Sequence, residues 1–388
     1  MNEQVLCVML ALLRKVVCGA GVSEEVKASI TPEMLPQLYS VSKAHDMAHL
    51  IAQGLSELGL LGEDEASLRF QKQQMLAVYR YQKLNYELKQ IGQTLEDAKI
   101  PFVPLKGSVL RPYYPEPWMR TSCDIDVLVH GEDLDRAVGF LEAKGYKRDS
   151  QSPHDISFYS ESGMHLELHY ATVEEGRAVR SNAVLSRIWQ YARPVEQGSV
   201  HMELSWGMFY FYHIAHMAKH FENGGCGIRP FLDLWIIENC IPHDDGEREA
   251  LLEEGGLLPY ANASQRLSAV WFAGMEHDKI TLQMQSYVLF SGIYGTLDNR
   301  VAARRNKKGG RIRYIVSRIF PPFIAMKRVY PILCKHPWLL PILYVLRWFR
   351  LLRKGQVVEK SRRELNVNKT MSQTKISETE ELFTSLGL

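Results

Sequence analysis

No pair of the six cysteines in this 388-residue chain is spaced C-x-x-C, and none has a zinc-ligand spacing. That leaves Cys7, Cys18, Cys123, Cys226, Cys240 and Cys334 as reduced thiols, as in a cytoplasmic protein, and excludes a cysteine-built zinc module. The uncharged stretch between Lys335 and Arg347 is short and contains Pro337 and Pro341. A bilayer-spanning helix needs about 20 apolar residues, so this segment does not cross a membrane. The apolar run from Val5 to Leu13 follows Glu3 and lacks a small-residue cleavage site after it; it reads as a first helix, not a signal peptide. Charge of one sign is also lacking. A formal net charge of +2 and a pI near 8.1 do not demand a nucleic-acid partner. There is no internal repeat, no RNA-binding module and no motif that would read a base.

What is present suffices for two domains, since 46% of the residues are hydrophobic. Residues 1–98 read as helical. Thr31-Pro32-Glu33 resembles a helix start. From Glu63 to Ala98, Leu68, Met75, Leu76, Tyr79, Leu84, Leu88, Ile91 and Leu95 recur near helical spacing and predict one apolar face. Residues 99–175 change to an α/β texture, with strands at 125–129, 156–159 and 165–170, a helix ending near Gly145, and a hairpin at Gly163. Helices return over 176–300. A basic and aromatic segment, 301–354, precedes a polar Ser/Thr/Glu-rich tail, 355–388, expected to be mobile. The fold class is α+β: a small mixed β-sheet core flanked by N-terminal and C-terminal helical regions.

The chemistry concentrates in Asp124-Ile125-Asp126-Val127-Leu128-Val129. Two aspartates two positions apart on a strand point to the same face, while the interleaved Ile125, Val127 and Val129 require a core on the other. Adjacent carboxylates repel unless solvent or a cation separates them. Glu167, in the alternating His165-Leu166-Glu167-Leu168-His169, offers a third carboxylate, and Lys106-Gly107-Ser108 a glycine turn upstream. Mg²⁺ is the usual cation where phosphate is the substrate, so the set reads as a phosphoryl-transfer site. Lys106 is either a phosphate countercharge or an ordinary loop charge. Arg120 contacts phosphate or pairs with Asp124 or Asp126. His165 and His169 line the site or face solvent.

Lys106-Gly107-Ser108, Arg120, the Asp124–Val129 strand and Glu167-Leu168-His169 together resemble the bacterial family of uncharacterised nucleotidyltransferases, a branch of the DNA polymerase β-like superfamily. The resemblance runs from the N-terminal helices to the region around His213 and Asp233 and is most specific between Leu105 and Tyr170. It implies a small mixed sheet carrying three carboxylates, two Mg²⁺ ions, and an NTP donor whose NMP passes to a hydroxyl acceptor with release of pyrophosphate. Asp124 and Asp126 would hold the metals against the triphosphate, with Glu167 as third ligand beside the acceptor. Gly107 would allow close backbone approach to phosphate, with Ser108 as hydroxyl donor. One departure is the insertion Arg111-Pro112-Tyr113-Tyr114-Pro115-Glu116-Pro117, whose three prolines interrupt the helix that the superfamily opens after its glycine-serine turn.

A second constellation is His213, His216, Lys219 and His220, whose spacings of three and four residues gather them on one arc of a helix. It reads as a zinc site, as a polar stripe bonded to the Arg229–Asp233 segment, or as a basic wall facing a triphosphate. The neighbouring Trp206, Phe209, Tyr210, Phe211 and Tyr212 read as core. Residues 311–354 interleave Trp338, Tyr344, Trp348 and Phe349 with Lys and Arg, a pattern suited to peripheral contact at the inner membrane face or, less well, to nucleic acid. The acceptor, whether small molecule, sugar or protein, is not written in the sequence. A non-catalytic nucleotide-binding or scaffold protein that kept the fold is the alternative function.

Overall fold

A computed structural model describes residues 3–173, 179–289, 299, 301, 311–353, 363, 367 and 372–388. The basic run from Arg304 to Gly310 lies outside them. The chain opens with helices α1 (Glu3–Cys18), α2 (Glu24–Ser29), α3 (Leu35–Ala44), α4 (Ala48–Glu57) and the 33-residue α5 (Glu65–Asp97). Thr31-Pro32-Glu33 forms a turn instead of a helix start; α3 begins at Leu35, with Pro36 in its first turn. Asp64 caps α5 by accepting from the backbone N–H groups of Ala66 and Ser67 at 3.0 and 3.1 Å.

The buried stripe of α5 differs from the predicted one. Phe70, Ala77, Leu84 and Ile91 recur every seven residues and are buried, whereas Leu68, Met75 and Tyr79 are exposed. Phe70 packs into the large helical core, while Leu84, Ile91 and Leu95 pack beneath the sheet. The helix therefore turns one narrow line toward two different partners, and apolar residues off that line stay wet.

Five strands form the central sheet: β1 (Phe102–Pro104), β2 (Asp124–Val129), β3 (Lys147–Gln151), β4 (Asp155–Tyr159) and β5 (His165–His169), in the order β1-β2-β5-β4-β3. Only β2 and β5 run parallel; the other pairs are antiparallel. Gly163, at φ +79°, makes the expected hairpin between β4 and β5. β3 was not visible in the sequence, because all five of its residues are polar and exposed. Ile125, Val127, Val129, Leu166 and Leu168 pack with α5 and with α7 (Leu134–Ala143; α6 is the short helix Gly107–Leu110), through Ala137 and Leu141. The opposite face of β2 carries Asp124, Asp126 and Leu128, and Leu128 belongs to the helical core. Two aspartates thus stand on the sheet face that looks toward the helices.

Those helices are α8 (Val179–Leu185), α9 (Trp206–Glu222), α10 (Arg229–Cys240), α11 (Asp245–Gly255), α12 (Leu258–Ala273) and α13 (Lys279–Leu289), with a two-stranded sheet of β6 (Ala192–Pro194) and β7 (Met202–Leu204) ahead of α9. Phe209, Tyr210, Phe211 and Tyr212 are core residues, as expected. The polar tail ends in an unexpected helix, Gln373–Leu386, whose Leu382, Phe383 and Leu386 are buried in the main core. Ser372 caps it, and Phe383 meets Phe221 at 5.7 Å and Tyr287 at 5.8 Å. Its mostly polar composition hid an apolar face at Ile376, Leu382, Phe383 and Leu386.

All six cysteines are free thiols. His45 and His49 are almost fully buried, and burial is the main reason both pKa values fall to about 4. An unfolded histidine titrates near 6.5, so folding favours the neutral ring. The stability this confers is full above pH 6.5 and is lost as pH falls from 6.5 toward 4. His49 donates from Nε2 to the Met119 carbonyl at 2.8 Å. Replacing it with Gln should reduce the loss of unfolding free energy between pH 7 and pH 5 by about 2 kcal/mol relative to wild type, as read by urea denaturation at the two pH values.

Candidate active site

Parallel pairing of β2 with β5 sets Asp124 opposite His165 and Asp126 opposite Glu167. Alternation then gathers Asp124, Asp126, His165, Glu167 and His169 on one face. Asp126 is 3% exposed, and its Oδ1 accepts from Lys106 Nζ at 2.6 Å and from His169 Nε2 at 2.8 Å. His169 Nε2 also lies 3.5 Å from Glu167 Oε2. Lys106 reaches Asp126 from a backbone at φ +50°, a conformation that a residue with a side chain rarely holds. Its charge therefore serves Asp126 directly. Beside it, a side chain on Gly107 would start 3.3 Å from Arg120 Nη1 and 3.4 Å from Arg111 Nη2, so the turn leaves room for two guanidinium groups.

Electrostatics separates the carboxylates. Burial acts to raise Asp126, but the Lys106 charge and the His169 hydrogen bond outweigh it and hold the group far below the usual carboxylate range. Burial followed by the negative charge of Asp126 raises Asp124. Glu167 is lowered chiefly by its hydrogen bond from His169. Burial works against a charged His169, yet its bonds to Asp126 and Glu167 lift it to about 9. Asp124 is thus the carboxylate whose charge is least well compensated.

The donor set fits a divalent cation. Asp124, His165 and Glu167 offer ligand atoms within 4.8 Å of one another, as do Asp126, Glu167 and His169. A dication among them would relieve the repulsion that raises Asp124, and carboxylate oxygens suit a hard ion. His213, His216 and His220 do not form such a cluster, which counts against the zinc reading.

Those histidines divide between two roles. His213 is buried and bonds the Pro230 carbonyl from Nε2 at 3.3 Å, the structural role anticipated for the helix stripe. His216 and His220, with their Nε2 atoms 3.0 Å apart, join Lys219 in a wall facing Lys106, Asp124, Glu167 and His169 across a cavity of about 290 Å³. A second cavity, about 410 Å³, shares Lys106, Asp124, His216 and His220 with the first. It extends past Gly107 and Cys123 to Lys43, His45 and Arg229. Two atoms of its lining residues, His45 Nδ1 and Arg229 Nε, are buried without a hydrogen-bond partner.

Two expected contacts are not made. Arg120 makes no ion pair with Asp124 or Asp126: Nε and Nη2 grip Asp233 at 2.6 and 2.8 Å, and Nη1 donates to the Thr121 carbonyl at 2.6 Å, while the side chain borders the second cavity. Tyr114 donates to the same Asp233 at 2.7 Å. Ser108 lines neither carboxylate cavity. It borders a third, of about 730 Å³, between α5, β7 and the start of α9, because the first turn of the short helix Gly107–Leu110 carries it away from the sheet face.

Sequence reasoning missed Arg111, which donates from Nε to the Arg120 carbonyl at 3.0 Å and whose pKa is lowered to about 10 by burial and by Arg120. It also missed Asp46, which accepts from Thr121 at 3.0 Å and pairs with Arg229. The insertion holding Arg111 drew notice only for its prolines, and Asp46 meets Arg229 across 183 positions of sequence.

Residues 32–272, which include the whole sheet, Lys106, the three carboxylates and α9, match the family described as "Uncharacterised nucleotidyltransferase". No curated protein and no solved structure matches the chain.

Proposed function

The chain belongs to the uncharacterised nucleotidyltransferase family, and from that premise we propose that it transfers NMP from an NTP to a hydroxyl acceptor, releasing pyrophosphate. The observation that carries this reading is the convergence of Asp124, Asp126 and Glu167 on one sheet face opposite the His216–Lys219–His220 wall. Asp124, Asp126 and Glu167 would hold Mg²⁺, which when bound supplies charge neutralisation for the triphosphate and polarises the acceptor oxygen. Lys106 and His169 keep Asp126 ionised and fixed in place. Lys219 supplies positive charge, and the paired histidines ring N–H donors, to phosphate oxygens. Glu167, with its carboxylate held ionised by His169, accepts the acceptor's proton on a carboxylate oxygen.

The acceptor enters through the second cavity. His45 donates from Nε2 to the Leu289 carbonyl, so in its neutral form Nδ1 is an acceptor, suited to a hydroxyl or amine of the incoming molecule. The test is Mg²⁺-dependent pyrophosphate release from NTP, expected to fall roughly a hundredfold in Glu167→Gln. Undiminished release by that variant would remove Glu167 from the chemistry.

One observation favours a non-catalytic, nucleotide-binding role instead. Lys106 and His169 already neutralise Asp126, as they would in a site that binds without turnover. NTP binding with no pyrophosphate release toward any acceptor would select that reading.

A further inference from the structure

Half of the exposed large apolar side chains among the described residues fall within 311–353. On the helix Leu340–Arg353, Ile342, Val345, Leu346 and Phe349 are exposed at i, i+3, i+4 and i+7, which is one continuous face. The opposite side is satisfied. Leu343 packs with Met326 and Leu333 in a small core separate from the main one, Tyr344 donates to the Pro321 carbonyl at 2.6 Å, and Trp348 to the Ile319 carbonyl at 3.0 Å. Trp338, 70% exposed, stands just ahead of the helix, and Lys335 and Arg350 flank the stripe, both exposed.

Charge identifies what covers this face. Residues 299–358 contain fifteen Lys and Arg and no Asp or Glu, in a chain whose net charge is only +2. A second copy of the same face would bring like charge against like. Nucleic acid would satisfy the basic residues and leave the aliphatic stripe in water, and Tyr344 and Trp348, the aromatics a base would stack on, are packed against Phe320 at 5.4 and 5.2 Å. An anionic bilayer satisfies both halves: acyl chains take the stripe, lipid phosphates take the basic residues, and tryptophan suits the boundary.

We propose that this outward face docks in the plane of an anionic lipid surface. No described helix is long and apolar enough to cross a membrane, so the contact is peripheral. The inference stands apart from the nucleotide chemistry.

The test is flotation of the full-length protein with neutral phosphatidylcholine vesicles and with vesicles containing roughly 30% phosphatidylglycerol. Wild type should bind the anionic vesicles at least about tenfold more tightly, with the difference collapsing near 0.5 M salt. Ile342→Ser/Phe349→Ser, which alters only exposed side chains, should weaken vesicle binding at least about tenfold while thermal unfolding stays unchanged. Failure to bind either vesicle overturns the proposal, as does vesicle binding indifferent to the double substitution. Self-association of wild type that the substitutions abolish, or RNA binding without vesicle binding, would overturn it in favour of those partners.

Discussion

Asp124→Asn should make the protein more stable while removing its response to Mg²⁺. Asp124 is half-buried, and its pKa is raised by burial and by the neighbouring Asp126. A carboxyl raised in the folded state opposes folding once ionised. The penalty is absent well below the unfolded pKa, grows as pH rises through the unfolded and then the folded value, and is complete at pH 7. Asn keeps the shape and removes the charge, so a gain of about 1 kcal/mol, and a midpoint higher by a few degrees, is expected at pH 7. The gain should vanish near pH 3, where wild type is also neutral. Mg²⁺ with NTP should raise the wild-type midpoint through binding to the native state and leave that of the variant nearly unmoved. A variant less stable than wild type at pH 7 would mean that the carboxylate holds the fold together through Lys106, and would weaken the case for a cation site.

The second large effect lies in the Arg120–Asp233 pair. Both side chains are buried, three donors reach the Asp233 carboxylate, and the pair ties the turn before β2 to α10. Removing one partner leaves an unpaired buried charge. Asp233→Ala or Arg120→Met should therefore each cost about 3–5 kcal/mol in urea unfolding, with the double substitution costing clearly less than the sum. Additive losses would contradict a coupled pair. Soluble, stable Arg120→Met protein with weakened NTP binding would assign Arg120 to phosphate, from the cavity it borders, in place of a purely structural role.

What the sequence made legible was local. The period-2 pattern over Asp124–Val129 put the aspartates on one face and the valines and isoleucine on the other, and the 2-residue spacing carried over to Glu167 and His169. The return of helices over 176–300 was also legible, α9 and α10 among them. What was hidden depends on contacts far apart in the chain. Nothing near Arg120 announces Asp233, 113 residues on, and nothing near Asp46 announces Arg229. β3 is built entirely of exposed polar residues that pair through backbone alone, so alternation cannot reveal it. In α5 the apolar residues outnumber the buried line, and spacing could not say which of them a partner would cover. The helix Gln373–Leu386 had its few apolar residues diluted by Ser, Thr and Glu, so composition pointed to a mobile tail where packing made a helix.

The carboxylate face as a metal-dependent nucleotide site is tested most directly by calorimetric titration of each of the four NTPs into the wild-type protein, with Mg²⁺ and with a chelator in its place. At least one NTP should bind with Mg²⁺ and lose most of its affinity in chelator. Equal affinity under both conditions, or no binding of any NTP to folded protein, would contradict it.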